Sequence, residues 1–138
     1  MGKSHWKNYN ANPRRRRTGD CTIRAICTAL GVDWYTTYFD VVIQGAVETD
    51  MPSTNRVWRK CLRRLGFKMC LVDDHGQDYY SVDDFCEDHP HGTYVLALDG
   101  HVVTVIEGEY YDTWESGDEE PIYYWIIKEG ERDSNEQR

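Results

Sequence analysis

Between residues 93 and 128 the chain reads "TYVLAL", "HVVTVIEG", "EYYDTW" and "PIYYWIIK". These runs are rich in β-branched and aromatic residues and are parted by "DG", "EG" and "SGD", so they predict an antiparallel meander. Upstream the period changes. Ile23, Ile26, Cys27 and Leu30 recur at i, i+3, i+4, i+7, which predicts a helix from about Cys21 that Gly31 stops. Asp33 is placed to cap a second helix carrying Trp34, Tyr38, Val41 and Val42 to about Val47. A third follows Pro52 and Ser53, with Val57, Trp58, Cys61, Leu62 and Leu65 on its dry side and Arg56, Arg59, Lys60, Arg63 and Arg64 on its wet side. "FKMCLV" alternates as a strand, and "SVDD" at 81–84 has the form of a capping box opening a short helix that ends near His89-Pro90. The fold class expected is α+β, with N-terminal helices packed as one layer on a C-terminal antiparallel sheet.

At 138 residues the chain is the size of one domain that can close its own core. Residues 1–17 are polar and Arg-rich and form an arm unless the fold captures them, 18–128 form the domain, and 129–138 form a frayed tail. No apolar run in "MGKSHWKNYNANPRRRR" suits a signal peptide, and no stretch is long enough to span a membrane, so a cytoplasmic protein with no membrane partner is expected. Cysteines at 21, 27, 61, 70 and 86 are odd in number and lack paired spacing, which fits free thiols in a reducing compartment. The net charge of −8 conceals an asymmetry: residues 1–70 hold 13 Lys/Arg against 5 Asp/Glu, and residues 71–138 hold 3 against 19. That split can join two halves of one fold or steer a charged partner.

Cys21 is the residue that the helical pattern leaves unexplained. It lies opposite the apolar stripe at the start of the first helix, where unsatisfied N–H groups and positive potential favour a thiolate and can receive the oxygen of a tetrahedral intermediate. A base is then required. His101 follows Asp99-Gly100 and opens an apolar strand, which puts an imidazole at the rim of the sheet. Asp112 lies on the next strand. A two- or four-residue turn around Glu107-Gly108 pairs Val103 with Asp112 and brings 101 and 112 to one face as diagonal neighbours; an odd-length turn separates them.

The order of these residues, Cys at a helix start, Gly-His leading a strand, Asp a strand later, resembles the papain-like cysteine peptidases. "GDCTIRAICTALG", "GHVVTVIEGEYYDTW" and the terminal "YYW" are more closely similar to compact papain-like hydrolases of bacterial and phage genomes, related in layout to bacteriocin-processing peptidases. The likeness covers about residues 12–127. It implies a papain-like fold and acyl transfer at a peptide or isopeptide bond through a thioester, without metal or other cofactor. Cys21 matches the nucleophile, His101 the general base and acid, and Asp112 the orienting residue. One departure stands out: the family usually places a Gln a few residues before the nucleophile as an oxyanion donor, and "RRRRTGD" has none. The position six before Cys21 is Arg15, so Asn12 is the expected replacement, with Thr18 the lesser choice.

Other features invite further readings. Cys86, His89 and His91 in "CEDHPH" suggest zinc, but the cluster lacks a CxxC partner and reads as a polar helix-to-strand loop. Arg14 to Arg17 adjoin Cys21 and suit an anionic partner or an acidic substrate; Arg15 and Arg17, with Trp114 after Asp112, are the residues expected to touch a protein or peptide substrate. A rival function uses the same fold without catalysis, as a phage-encoded module that binds a host protein or nucleic acid through the Arg-rich arm.

Overall fold

The structure, a computed structural model, describes residues 4–127. Its first element corrects the expectation of a free arm. Trp6–Asn8 form a short strand (β1) that pairs in parallel with a strand at Glu109–Asp112 (β5). The pairing holds because Trp6 also buries much of its ring against the core and donates its indole N–H to the Asp112 carbonyl at 3.0 Å. Residues 10–17 are tied down as well. The Asn12 side-chain oxygen accepts the backbone N–H groups of Arg14 and Arg16, and Arg15 takes a left-handed φ of 55°. The tail expected at 129–138 lies outside the described residues.

The helices follow their sequence signals. Cys21–Leu30 (α1) ends at Gly31, whose φ of 70° gives the left-handed cap. Trp34–Glu48 (α2) starts where the Asp33 carboxylate accepts the Thr36 N–H, and Asn55–Arg64 (α3) where Thr54 accepts that of Val57. Phe67–Leu71 (β2) and Val82–Asp88 (α4) follow, the latter opened by a complete capping box between Ser81 and Asp84. Ser81→Ala removes one arm of that box, and a loss of about 1 kcal/mol is expected. A lower urea midpoint with an unchanged slope would register it.

Thr93–Leu98 (β3), His101–Ile106 (β4), β5 and Tyr123–Ile127 (β6) complete a six-stranded sheet of order β1-β5-β4-β3-β6-β2. The sheet is mixed, not wholly antiparallel, because β1 joins it in parallel. Two of its strands, β1 and β2, precede α4 in the chain. A second correction concerns the layers. Helices α1, α2 and α3 cover one face, packing Ile26, Val41, Val57 and Leu62 on Val95, Val102 and Trp125. On the other face α4 sets Val82 and Phe85 against Leu96, Val103, Val105 and Tyr110. The centres of β3 and β4 are therefore buried on both sides, which is why "TYVLAL" and "HVVTVI" are nearly continuous apolar runs.

One buried contact sets the position of the site. Thr104 of β4 donates its hydroxyl to the Ala25 carbonyl of α1. The helix that carries Cys21 is thus fastened to the strand that carries His101. Among the described residues, no helix is long and apolar enough to cross a membrane.

Candidate active site

Glu107 and Gly108 form the two-residue turn between β4 and β5, both with positive φ, at 50° and 77°. This is the hairpin turn whose twist suits the flanking strands. With Thr104 opposite Tyr111, the register brings His101 and Asp112 together, and His101 Nε2 lies 2.7 Å from an Asp112 carboxylate oxygen. The other ring nitrogen, Nδ1, is left for Cys21, and the two side chains lie close enough for each to shift the ionisation of the other. Cys21, His101 and Asp112 are therefore one connected chain.

Burial alone would push the Cys21 thiol up. It is outweighed by the hydrogen bond and charge of His101, the Val102 backbone N–H and the Arg24 guanidinium, so the thiol ionises below its ordinary range. The same burial would lower His101. Its hydrogen bonds to Asp112 and Cys21 and their negative charges prevail and raise the imidazole to about 9. The two shifts run in the direction that favours a thiolate facing an imidazolium over the neutral pair. Burial raises the other core thiols, to about 11 for Cys27 and about 12 for Cys86, and upward for Cys61.

Asp112 is 1% exposed and fully engaged. One oxygen accepts the Ser116 hydroxyl at 2.6 Å as well as His101; the other accepts the Thr113 N–H at 2.8 Å and lies 3.7 Å from Arg24 Nη1. Arg24 also bonds Asp20 at 2.8 Å, so this guanidinium bridges the residue before the nucleophile and the residue behind the base. Asp20, Arg24, Trp34 and Ser116 were not singled out from sequence. The i, i+4 spacing of Asp20 and Arg24 around Cys21 was the available signal.

Asp20 stands at the cap position of α1 but its side chain caps nothing. It is drawn away by Asn12 Nδ2 and Trp34 Nε1, each at 3.0 Å, and by Arg24. Burial would raise this carboxyl, and those three hydrogen bonds hold it below the usual range instead. The first-turn N–H groups of α1 are consequently left for an incoming oxygen.

That arrangement corrects the expectation for Asn12. One of its amide N–H groups goes to Asp20, its oxygen to the Arg loop, and it is not among the residues lining the cavity described next. Asn12 is a brace. Thr18 does reach the cavity wall.

Cys21 and His101 open on a cavity of about 830 Å³. Trp34, Tyr38, Val42, Met51, Trp58 and Tyr123 are among the residues of its apolar and aromatic wall. Tyr38 and Val42 of α2 serve this wall, while the buried side of the helix is Thr37, Val41, Gln44 and Gly45. Trp114 sets its ring 5.1 Å from the His101 ring, and Arg17 lies with it at a neighbouring cavity; Arg15 is exposed and lines neither. Of the residues in "CEDHPH", Cys86 is buried, His89 stacks on Phe85 at 3.8 Å, and His91 is exposed. Among the described residues, no group of three or more His, Cys, Asp or Glu is placed to hold a metal ion.

No family model, curated protein or solved structure matches the chain. The chemistry must be read from the geometry alone. An ionised thiol, a proton carrier held in one orientation and an uncapped helix start beside an apolar cavity are the parts needed for nucleophilic acyl transfer.

Proposed function

We propose that the chain is a compact papain-like cysteine hydrolase of bacterial or phage type, which cleaves a peptide or isopeptide amide through a thioester. The observation that carries this reading is the Cys21–His101–Asp112 chain, with its 2.7 Å His–Asp contact at the mouth of the apolar cavity. The Cys21 thiolate attacks the carbonyl carbon, and the displaced electron pair rests on oxygen against the first-turn N–H groups of α1. Collapse breaks the C–N bond as His101 gives its Nδ1 proton to the leaving nitrogen. Water then loses a proton to His101 while its oxygen adds to the thioester, and C–S cleavage restores the thiolate and releases the acid. Asp112 keeps the ring oriented throughout. The free thiols fit a reducing, cytoplasmic setting.

Limited iodoacetamide followed by peptide mapping tests the nucleophile. Cys21 should be labelled first in the native protein, His101→Ala should slow that labelling, and unfolding should erase the selectivity. Arg14 to Arg17 meet no carboxylate among the described residues, and this favours one second reading, a non-catalytic module that binds a host protein or nucleic acid. Faster labelling of half-buried Cys70, or an unchanged Cys21 rate in His101→Ala across about pH 5 to 9, would shift the balance to that module.

A further inference from the structure

A second cavity, of about 600 Å³, adjoins the apolar one. Arg16, Arg17 and Arg24 line it with Thr113 and Trp114, and it shares Thr18 and Gly19 with its neighbour, so the two meet at the backbone leading into Cys21. No acidic side chain lines it. Arg24 is already answered by Asp20 and Asp112, whereas the guanidinium groups of Arg16 and Arg17 meet no carboxylate among the described residues. Like charges on adjacent residues repel, and an ordinary surface run relieves this by spreading into solvent. Here the backbone is held in place: Asn12 binds the N–H groups of Arg14 and Arg16, Asn10 Nδ2 reaches the Arg16 carbonyl at 3.4 Å, and Asn12 is itself anchored to Asp20. Two uncompensated cations are thus carried by a braced loop beside the nucleophile.

The side of the scissile bond follows from the proton. His101 must deliver its proton to the departing nitrogen, so the leaving segment lies along the imidazole. Trp114 packs on that imidazole and walls the cationic cavity. The acyl segment is left the apolar cavity. Resting on the hydrolase reading of Cys21, we propose that the substrate's leaving segment carries a carboxylate, as an acidic side chain close to the scissile bond, which Arg16 and Arg17 bind while Trp114 covers it. The planar fork of arginine matches a carboxylate with two parallel hydrogen bonds, and a site walled by an aromatic ring strengthens them.

The test uses quenched-fluorescent octapeptides with Tyr, Leu or Phe on the acyl side and Glu, Gln or phosphoserine at the first or second leaving position. In the wild-type protein kcat/KM for Glu should exceed that for Gln by roughly 10-fold to 100-fold, falling as salt rises. The ratio should drop to near one in Arg16→Gln/Arg17→Gln. A ratio near one in the wild type, or one that persists in the double variant, overturns the proposal, and a clear preference for phosphoserine over Glu replaces the carboxylate by a phosphate. Fluorescence anisotropy of the same peptides on Cys21→Ala reads the preference without turnover. Retained Glu preference in binding with no cleavage by the wild type would unseat the hydrolase reading alone; cleavage without the preference would unseat the carboxylate site alone; absence of both would remove both.

Discussion

Amide hydrolysis should fall furthest in Cys21→Ala, to the residual rate that binding and the helix-start N–H groups alone supply, and by a smaller factor, about 10²–10⁴, in Asp112→Asn. Both variants should keep the wild-type circular dichroism. Alanine leaves nothing to form the thioester. Asparagine still presents one oxygen to His101 Nε2, so the ring keeps an orienting partner. What it loses is charge: the imidazolium that forms in the transition state no longer faces a carboxylate, and Arg24 loses one of the two acids it bridges. With the remaining oxygen kept on His101 and Ser116, the new NH2 replaces the oxygen that accepted the Thr113 N–H and faced Arg24, so donors meet donors on that side. Equal losses in the two variants would argue against the roles assigned.

The pH profile should separate two readouts that coincide near neutrality. His101 is raised to about 9, so with an amide substrate the rate should fall about tenfold per pH unit above that value as the proton for the leaving nitrogen is lost. Alkylation of Cys21 needs only the thiolate and should show no such fall. On the acid side both should decline together, at a pH below the ordinary thiol range, because Cys21 is lowered. Stability follows the same shifts. The raised His101 contributes stability in full below its unfolded value and loses it as pH rises through about 9. The lowered Cys21 contributes above its unfolded value and loses it as pH falls through its folded one. Since the two groups share a hydrogen bond, the observed midpoints belong to the pair. A parallel alkaline decline in alkylation and hydrolysis would contradict this assignment of the proton.

The candidate triad was legible because its geometry depends on local rules. A helix start, a glycine turn before a strand and an even-length turn at Glu107-Gly108 each have short-range signals, and the register that joins His101 to Asp112 follows from the last of them. What was not legible depends on contacts remote in sequence. "WKN" has no strand period of its own, and β1 exists because Asn8 and Trp6 find Asp112 and Tyr110 on a distant strand. Asn12 was read as an oxyanion donor on condition that the arm folds back over the cleft, but it gives an amide N–H to Asp20 and is not among the residues lining the cavity. Tyr38 fits the apolar stripe of α2 by period. It lines the cavity, whereas Thr37, Val41, Gln44 and Gly45 form the buried side of the helix.

The parallel joining of β1 to β5 has a consequence for how the protein is made. Trp6 and Tyr110 are neighbours across roughly a hundred residues of chain, and β4 separates their pair from β3, so the sheet edge behind Asp112 is among the pairings of longest range. During synthesis at about 5–20 residues per second, α1 leaves the ribosome seconds before either His101 or Asp112 exists. Throughout that interval Cys21 has neither its imidazole nor the guanidinium bridge between Asp20 and Asp112, and its thiol remains at ordinary acidity. Under the proposed function, a nascent chain therefore carries a dormant nucleophile, activated only once the strands bearing His101 and Asp112 have docked beside it.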